Sequence, residues 1–142
     1  MDDLDLVAGK TKLQRKQKSF VDISLSFEPN PITHDLTVLL NERAINNAMK
    51  NLIMIAPSEV VFNRDIGSNT RHYIFDLIDP STAMLLEDEI RRTINFGEPR
   101  AEIQTLKVEA REDQNEFMVS LWYKIIGYDE VFFVDYILAP TR

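Results

Sequence analysis

Between Ala101 and Leu138 three runs of strand character follow one another, joined by links of only a few residues, Glu112 to Glu116 and Gly127 to Glu130. The middle run, Phe117 to Ile126, alternates cleanly: Phe117, Val119, Leu121, Tyr123 and Ile125 against Met118, Ser120, Trp122, Lys124 and Ile126. A period of two is the mark of a strand whose two faces meet different environments. Ala101 to Arg111 puts Leu106, Val108 and Ala110 on one face, and Ile103 falls out of that phase, the sign of a bulge or an edge. Val131 to Leu138 is nearly all apolar or aromatic. With links this short, a three-stranded antiparallel meander is the economical arrangement.

Two helices precede it. Asp79 is a good N-cap and Pro80 sits where a first helical residue tolerates proline. Ala83, Leu86, Ile90 and Ile94 form the apolar stripe of this helix, and Glu87, Asp88, Glu89, Arg91 and Arg92 cover much of the rest. Steps of four pair Glu87 with Arg91 and Asp88 with Arg92. Gly97 is placed for the left-handed residue that ends a helix. The earlier helix is expected to start at Asn41 as N-cap, with Glu42 in the first turn and Ala44, Ile45, Ala48, Leu52 and Ile55 as its buried stripe, and to stop at Pro57. Ser58 to Thr70 reads as a loop dense in turn formers, followed by an apolar island of Tyr73, Ile74, Phe75, Leu77 and Ile78. Upstream, Ser19 to Phe27 is β-prone, with Phe20, Ile23, Leu25 and Phe27, and ends at Glu28-Pro29-Asn30-Pro31. Asp35 to Leu40 is too short for period to separate strand from helix. The expected fold is α+β: two main helices packed on a mostly antiparallel sheet, with the C-terminal meander and an extended N-terminal arm. Residues 1–18 are expected to be a flexible basic arm and residues 19–142 a single domain.

Charge and composition narrow the function. The 142 residues suit one domain with room for an arm. The net charge of −7 divides into +2 over residues 1–18, from Lys10, Lys12, Arg15, Lys16 and Lys18 against Asp2, Asp3 and Asp5, and −9 over the rest. An acidic body repels nucleic-acid phosphates and anionic lipid, so neither nucleic acid nor membrane is expected as a partner. No apolar run approaches the roughly 18–20 residues that span a bilayer, and the opening Met-Asp-Asp-Leu-Asp is acidic where a signal peptide is basic. The absence of cysteine excludes disulfides, thiolate metal sites and a cysteine nucleophile, and suits a reducing, intracellular setting. His34 and His72 stand far apart and outside any metal-ligand spacing. There is no nucleophile elbow, and the four glycines form no phosphate loop, so no cofactor or metal is expected. Carboxylates remain. A glycoside hydrolase needs two of them some 5–9 Å apart, and Glu87, Asp88, Glu89 and Glu98 are candidates, although the first three read as a solvated helix face.

The most informative segment is Phe96-Gly97-Glu98-Pro99-Arg100. Proline biases Glu98 away from the helical region and fixes its own backbone. In an extended Glu98-Pro99-Arg100 tripeptide the two charges project to the same side. Such a pair suits docking onto a polar partner surface, and it equally suits an intramolecular latch that pins the helix to the first strand of the meander.

The order of motifs is familiar. The helix of Ala44 to Leu52 leads to Pro57-Ser58-Glu59, then to the loop Phe62-Asn63-Arg64-Asp65-Ile66-Gly67-Ser68, then to Ile74-Phe75-Asp76, the Asp79-Pro80 helix and Glu98-Pro99-Arg100. Over roughly residues 35–138 the chain resembles the baseplate wedge proteins of contractile phage tails, also called the lysozyme-like wedge or sheath-initiator family and shared with type VI secretion baseplates. Ser58 stands where glycine is usual, and Asn63-Arg64 replaces a proline-containing turn. The resemblance implies a non-enzymatic virion protein of the tail baseplate, assembled in the host cytoplasm and present in six copies around the tube. It implies that Glu98, Pro99 and Arg100 dock on the core helical bundle of other wedge proteins. It further implies that the C-terminal strands template the first ring of tail sheath protein, and that tail tube or tube-initiator proteins lie close by. Two other classes stay open: a peptidoglycan-degrading glycoside hydrolase of lysozyme type, and a host-side adaptor domain.

Overall fold

The computed structural model describes residues 19–24, 28–32 and 34–140. The arm expected over residues 1–18, and Leu25 to Phe27 of the β-prone stretch, lie outside the described residues.

The chain runs β1 (Val21–Ile23), β2 (Val38–Leu40), α1 (Glu42–Met54), α2 (Thr70–Ile74), α3 (Pro80–Gly97), β3 (Ala101–Arg111), β4 (Glu116–Ile125) and β5 (Val131–Leu138). The last three strands form the antiparallel meander that the short links require, in the order β3-β4-β5. The clean alternation in the middle run makes β4 the central strand: Phe117, Val119, Leu121, Tyr123 and Ile125 are all buried. Pairing of β3 with β4 runs from Ala101 opposite Ile125 to Arg111 opposite Glu116, with one register shift between Ile103 and Thr105. That shift is the bulge signalled by the phase of Ile103, and it lets Ala101 and Leu106 face the same core from opposite sides of the irregularity. The β3–β4 link closes through a 3-10 turn, Glu112–Gln114, ending on Asn115 in the left-handed region (φ 53°), where asparagine is well tolerated.

Helices α1 and α3 cover the buried face of this sheet. Ile45, Met49 and Ile53 of α1 and Leu86, Ile90 and Ile94 of α3 join the β4 side chains in one core. Each such side chain contributes about 1.5–3 kcal/mol on burial. α3 matches its expected stripe. Its cap is a true one, with Asp79 Oδ1 accepting the Thr82 amide at 2.6 Å, and that bond chiefly holds the Asp79 carboxyl below its usual range. In α1 the buried set is Ala44, Ile45, Met49, Leu52 and Ile53; Ala48 and Ile55, expected in the stripe, are only half-buried. Met49, one position past Ala48, takes its place because the helix faces α3 and the sheet together, and Ile55 lies beyond the last helical residue with extended backbone (φ −78°, ψ 128°). Asn41 does not cap α1 with its side chain. It has φ 48°, and its Oδ1 instead accepts the Phe20 amide at 3.0 Å.

Gly97 also departs from expectation. It is the last helical residue rather than a left-handed one, and a Cβ there would lie 2.7 Å from Leu52 Cδ2. Its lack of a side chain lets α1 and α3 approach. The short helix α2 was not legible: five residues, Thr70–Ile74, are too few to show a period, and only Thr70 and Ile74 are buried.

The loop between α1 and α2 folds back on the end of α1. Ser68 donates its amide to Ile55 O at 2.8 Å, and Glu59 Oε2 accepts the Ala56 amide at 2.9 Å. Two non-glycine residues take positive φ here, Ser58 at 72° and Phe62 at 71°. Ser58 therefore occupies, with a side chain, a backbone state that favours glycine, which gives a physical reason for the usual residue at that position. Ser58→Gly is expected to stabilise the protein by about 0.5–1 kcal/mol, read as a raised denaturation midpoint at unchanged denaturant slope.

β1 and β2 form a separate two-stranded ribbon, with Val21 opposite Leu40 and Ile23 opposite Val38. Asp35 to Leu40, ambiguous by period, thus supplies a strand.

Candidate functional site

The junction between α3 and β3 reverses the chain in three residues. Glu98 donates its amide to Ile94 O at 2.8 Å and so completes the helix. Ala101 then donates to Glu98 O at 3.1 Å, closing a tight turn with Pro99 and Arg100 at its two central positions. Arg100 O accepts the Ile126 amide at 3.0 Å, which fixes the turn to the end of β4. The tripeptide is therefore a turn and not the extended segment expected. The reason is geometric: Ala101 must enter β3 opposite Ile125, and an extended tripeptide would carry the chain past the sheet.

The two charges nevertheless meet. Glu98 is only 3% exposed. Its Oε1 and Oε2 accept from Arg100 Nε and Nη2, both at 2.5 Å, and Oε1 also accepts the Arg100 amide at 3.3 Å. This is the two-pronged arginine–carboxylate pair, the strongest geometry such groups have. The hydrogen bond to Glu98 is the main force that raises the Arg100 pKa, helped by the charges of Glu98 and Asp22 against the effect of burial. The Arg100 side chain keeps 33% of its surface. Its guanidinium carbon lies 5.4 Å from the centre of the Phe20 ring, within cation–π range. Phe20 is itself fixed by two bonds to Asn41, its amide donating to Oδ1 and its carbonyl accepting the Asn41 amide at 2.7 Å. One arginine thus ties the end of α3, the start of β3 and the N-terminal ribbon. The latch geometry is present; Pro99 and the exposed part of Arg100 are what the turn shows to solvent.

Two further surfaces carry apolar groups outward. On the ribbon, Val21, Ile23, Val38 and Leu40 occupy one exposed face, while Asp22 and Leu39 are turned inward. Sequence reasoning passed over this inversion, although Val21-Asp22-Ile23 carries it as an alternation. On the meander, among the described residues β5 pairs only with β4 and forms an edge. Val131, Phe133 and Ile137 are exposed there, and the Phe133 ring contacts that of Trp122 at 4.8 Å between centres.

Of the carboxylates considered for hydrolysis, Glu87, Glu89 and Glu98 are engaged by arginines, and Asp88 is exposed. Glu87 accepts from Arg91 at 3.0 Å, as its spacing predicts. Arg92 pairs with Glu89, three residues back, and not with Asp88 as expected, because Glu89 also takes the Asn69 amide at 2.8 Å and is thereby held on that side of the helix. Burial pushes the Glu89 carboxyl up, but its bonds to Arg92 and Asn69 outweigh it and leave the pKa lowered. A general acid of a glycosidase needs the opposite shift. Among the described residues no group of three or more histidine and carboxylate side chains is assembled that could hold a metal ion. No described helix is long and apolar enough to cross a membrane.

Comparison with known proteins agrees with this architecture. The family described as baseplate wedge protein gp25 matches residues 30–129. A chain in the cryo-EM structure of the anti-feeding prophage baseplate, 6-fold symmetrised, is similar with a TM-score of 0.60 at 15% identity, covering 87% of this chain and 88% of that one. A chain of the postcontracted pyocin R2 baseplate is similar with a TM-score of 0.52 at 11% identity, covering 86% and 100%. A crystal structure from Geobacter sulfurreducens, provisionally described as a tail lysozyme, gives 0.61 at 21% identity, covering 69% and 89%. At these identities the likeness is one of fold. No curated protein matches the chain by sequence.

Proposed function

The chain belongs to the baseplate wedge protein gp25 family, and on that premise we propose that it joins neighbouring wedge proteins through the Glu98-Pro99-Arg100 turn and starts the tail sheath from its C-terminal strands. Its role is structural, as a component of a contractile-tail baseplate that assembles with other baseplate proteins. The finer assignment rests on one observation above the rest: Glu98 is buried and spends its carboxylate on Arg100, while Pro99 stands exposed at the corner of a turn. Glu98 is the positioning residue. It holds Arg100 at fixed geometry, so that a partner meets a rigid proline and a preorganised guanidinium with little entropy left to lose. The outward face of Val21, Ile23, Val38 and Leu40, on the ribbon that Arg100 anchors, supplies apolar area for the same kind of contact. The partner surface is the core helical bundle of other wedge proteins.

For the sheath, the edge of β5, unpaired among the described residues, supports the reading. A strand edge offers unpaired backbone donors and acceptors to an incoming chain. Six copies around the tail tube and its initiator proteins are proposed, in keeping with the 6-fold symmetrised baseplate of the similar prophage protein. Assembly would take place in the host cytoplasm, with the finished protein in the virion. Co-expression with the neighbouring wedge proteins tests the docking: the intact chain is expected to co-purify in one complex, and a chain that stays monomeric beside an assembled wedge contradicts it.

The domain division belongs to the same proposal. If residues 1–18 form an arm outside a body spanning 19–142, removing them leaves the melting temperature within about 2 °C, and a fall of more than about 5 °C shows that they pack on the body. Catalysis is not part of the proposed role. Purified protein is expected not to clear a cell-wall suspension; clearing that is lost in Glu98→Gln would instead establish a lysozyme-type hydrolase.

A further inference from the structure

The edge of β5 away from β4, unpaired among the described residues, is not uniform. Beside its C-terminal half, against the end of α1, lies a groove of about 240 Å³ lined by Lys50, Ile53 and Met54 of α1 and by Asp135, Tyr136, Ile137 and Leu138 of β5. Its floor is continuous with the core: Ile53 and Leu138 are buried, whereas Met54 stands at the rim, 43% exposed. A dry cavity of roughly 150 Å³ is enough for a benzene ring, so this groove has room for one large apolar side chain.

Its position follows from the pleat. On β5, Phe132, Val134, Tyr136 and Leu138 point to the helix-covered face and Val131, Phe133, Asp135 and Ile137 to the other. A strand added to the free edge obeys the same alternation. Its residue beside Tyr136 or Leu138 would therefore project toward α1 and into the groove. The occupant also has a charge. From 129 to 138 the chain carries Asp129, Glu130 and Asp135 and no basic residue. A second copy pairing β5 with β5 would set two acidic segments without a basic residue side by side, so net like charge opposes it.

We propose that this groove is the side-chain pocket of the β5 docking edge, and that it selects an incoming strand of another protein that carries a large apolar residue flanked by basic ones. The inference rests on the reading of β5 as a site of strand addition and goes beyond it: backbone pairing gives affinity to any strand, while the pocket gives sequence preference and register. Register matters because a slip of one residue turns every side chain to the wrong face.

The test uses the full chain, isotope-labelled, and three nine-residue peptides of alternating threonine and lysine whose central residue is alanine, leucine or phenylalanine. Amide shifts report where the peptides bind and how tightly. The expected result is that β5 amides shift with all three peptides and that leucine or phenylalanine binds about tenfold or more tightly than alanine, as burial of such a side chain implies. Met54→Trp, which fills the groove from its exposed rim, should leave the alanine peptide bound as before and remove the advantage of the other two. Equal affinity of the three peptides for the unaltered chain overturns the pocket and leaves strand addition standing. Failure of β5 amides to shift with any peptide overturns strand addition and the pocket with it. Self-association through β5 before any peptide is added, seen as a dimer in sedimentation, also overturns the proposal, with a second copy as the occupant.

Discussion

Replacing Glu98 and Arg100 together by alanine is expected to leave a folded monomer and to abolish incorporation into the baseplate. The stability side follows from how the pair is built. Removing a buried ion pair whole is far milder than removing one member, because no charge is left without its partner. The double variant loses the two-pronged bond and the contact of Arg100 with Phe20, a net cost of about 1–2 kcal/mol. A domain of this size has about 5–15 kcal/mol to lose. Glu98→Ala alone should cost more than the double variant, about 1–3 kcal/mol, since the guanidinium, two-thirds covered, is then held against the body without its carboxylate. The assembly side follows from what remains exposed. Arg100 no longer presents a fixed guanidinium beside Pro99, and co-purification with neighbouring wedge proteins should drop at least tenfold. The two measurements separate the roles of the turn. A folded variant that still assembles shows that the pair serves only as an internal latch. A double variant that fails to fold shows that the latch carries far more stability than its geometry suggests.

The largest single-residue loss of stability is expected at Gly67. Its φ is +131°, a region that residues with a side chain rarely enter, and a Cβ there would lie 2.8 Å from both the carbonyl carbon and oxygen of Ala56 and 2.9 Å from Ile55 O. These are backbone atoms at the end of α1, and they cannot move aside as a side chain can. Backbone strain of about 1–3 kcal/mol adds to the overlap. It also threatens the Ser68 bond to Ile55 O and the buried Ser68–Thr70 hydroxyl pair that stand on that approach. Gly67→Ala should therefore cost about 3–5 kcal/mol, seen as a fall in Tm on the order of 10–20 °C. The Gly97→Ala change makes a useful contrast. There the nearest atoms are the Leu52 methyl groups, at 2.7 and 2.9 Å, which can rotate away, so the loss should be smaller. If the two variants melt together, close backbone approach is not what Gly67 provides.

What was legible in the sequence was what period and punctuation can carry. The β4 alternation placed every buried side chain of that strand correctly, because a central strand packs one face against helices along its whole length. Asp79 and Pro80 fixed the start of α3 because capping is decided within a single turn. The dislocation at Ile103 announced the bulge in β3 for the same local reason. What was not legible depended on contacts far along the chain. Asn41 has the residue type of a cap, but its side chain is claimed by Phe20, twenty-one positions earlier. Gly97 has the residue type of a helix stop, but its backbone is helical and its use is to admit Leu52. Arg92 lies at the right spacing from Asp88, but Asn69 fixes Glu89 as the available partner. At the candidate site the spacing of Glu98 and Arg100 correctly brought the charges together. That the carboxylate would be buried, and the pair set on a turn, depended on β3 entering the sheet opposite Ile125.

We propose that this structural wedge component meets neighbouring wedge proteins at its Pro99-Arg100 corner. Cryo-EM of purified tails carrying the chain tests it most directly. Density for the chain is expected in the baseplate, with Pro99 and the exposed side of Arg100 against helices of another protein and Glu98 still bound to Arg100. Absence of the chain from complete baseplates, or its presence with the Glu98-Pro99-Arg100 turn facing open solvent, would contradict it.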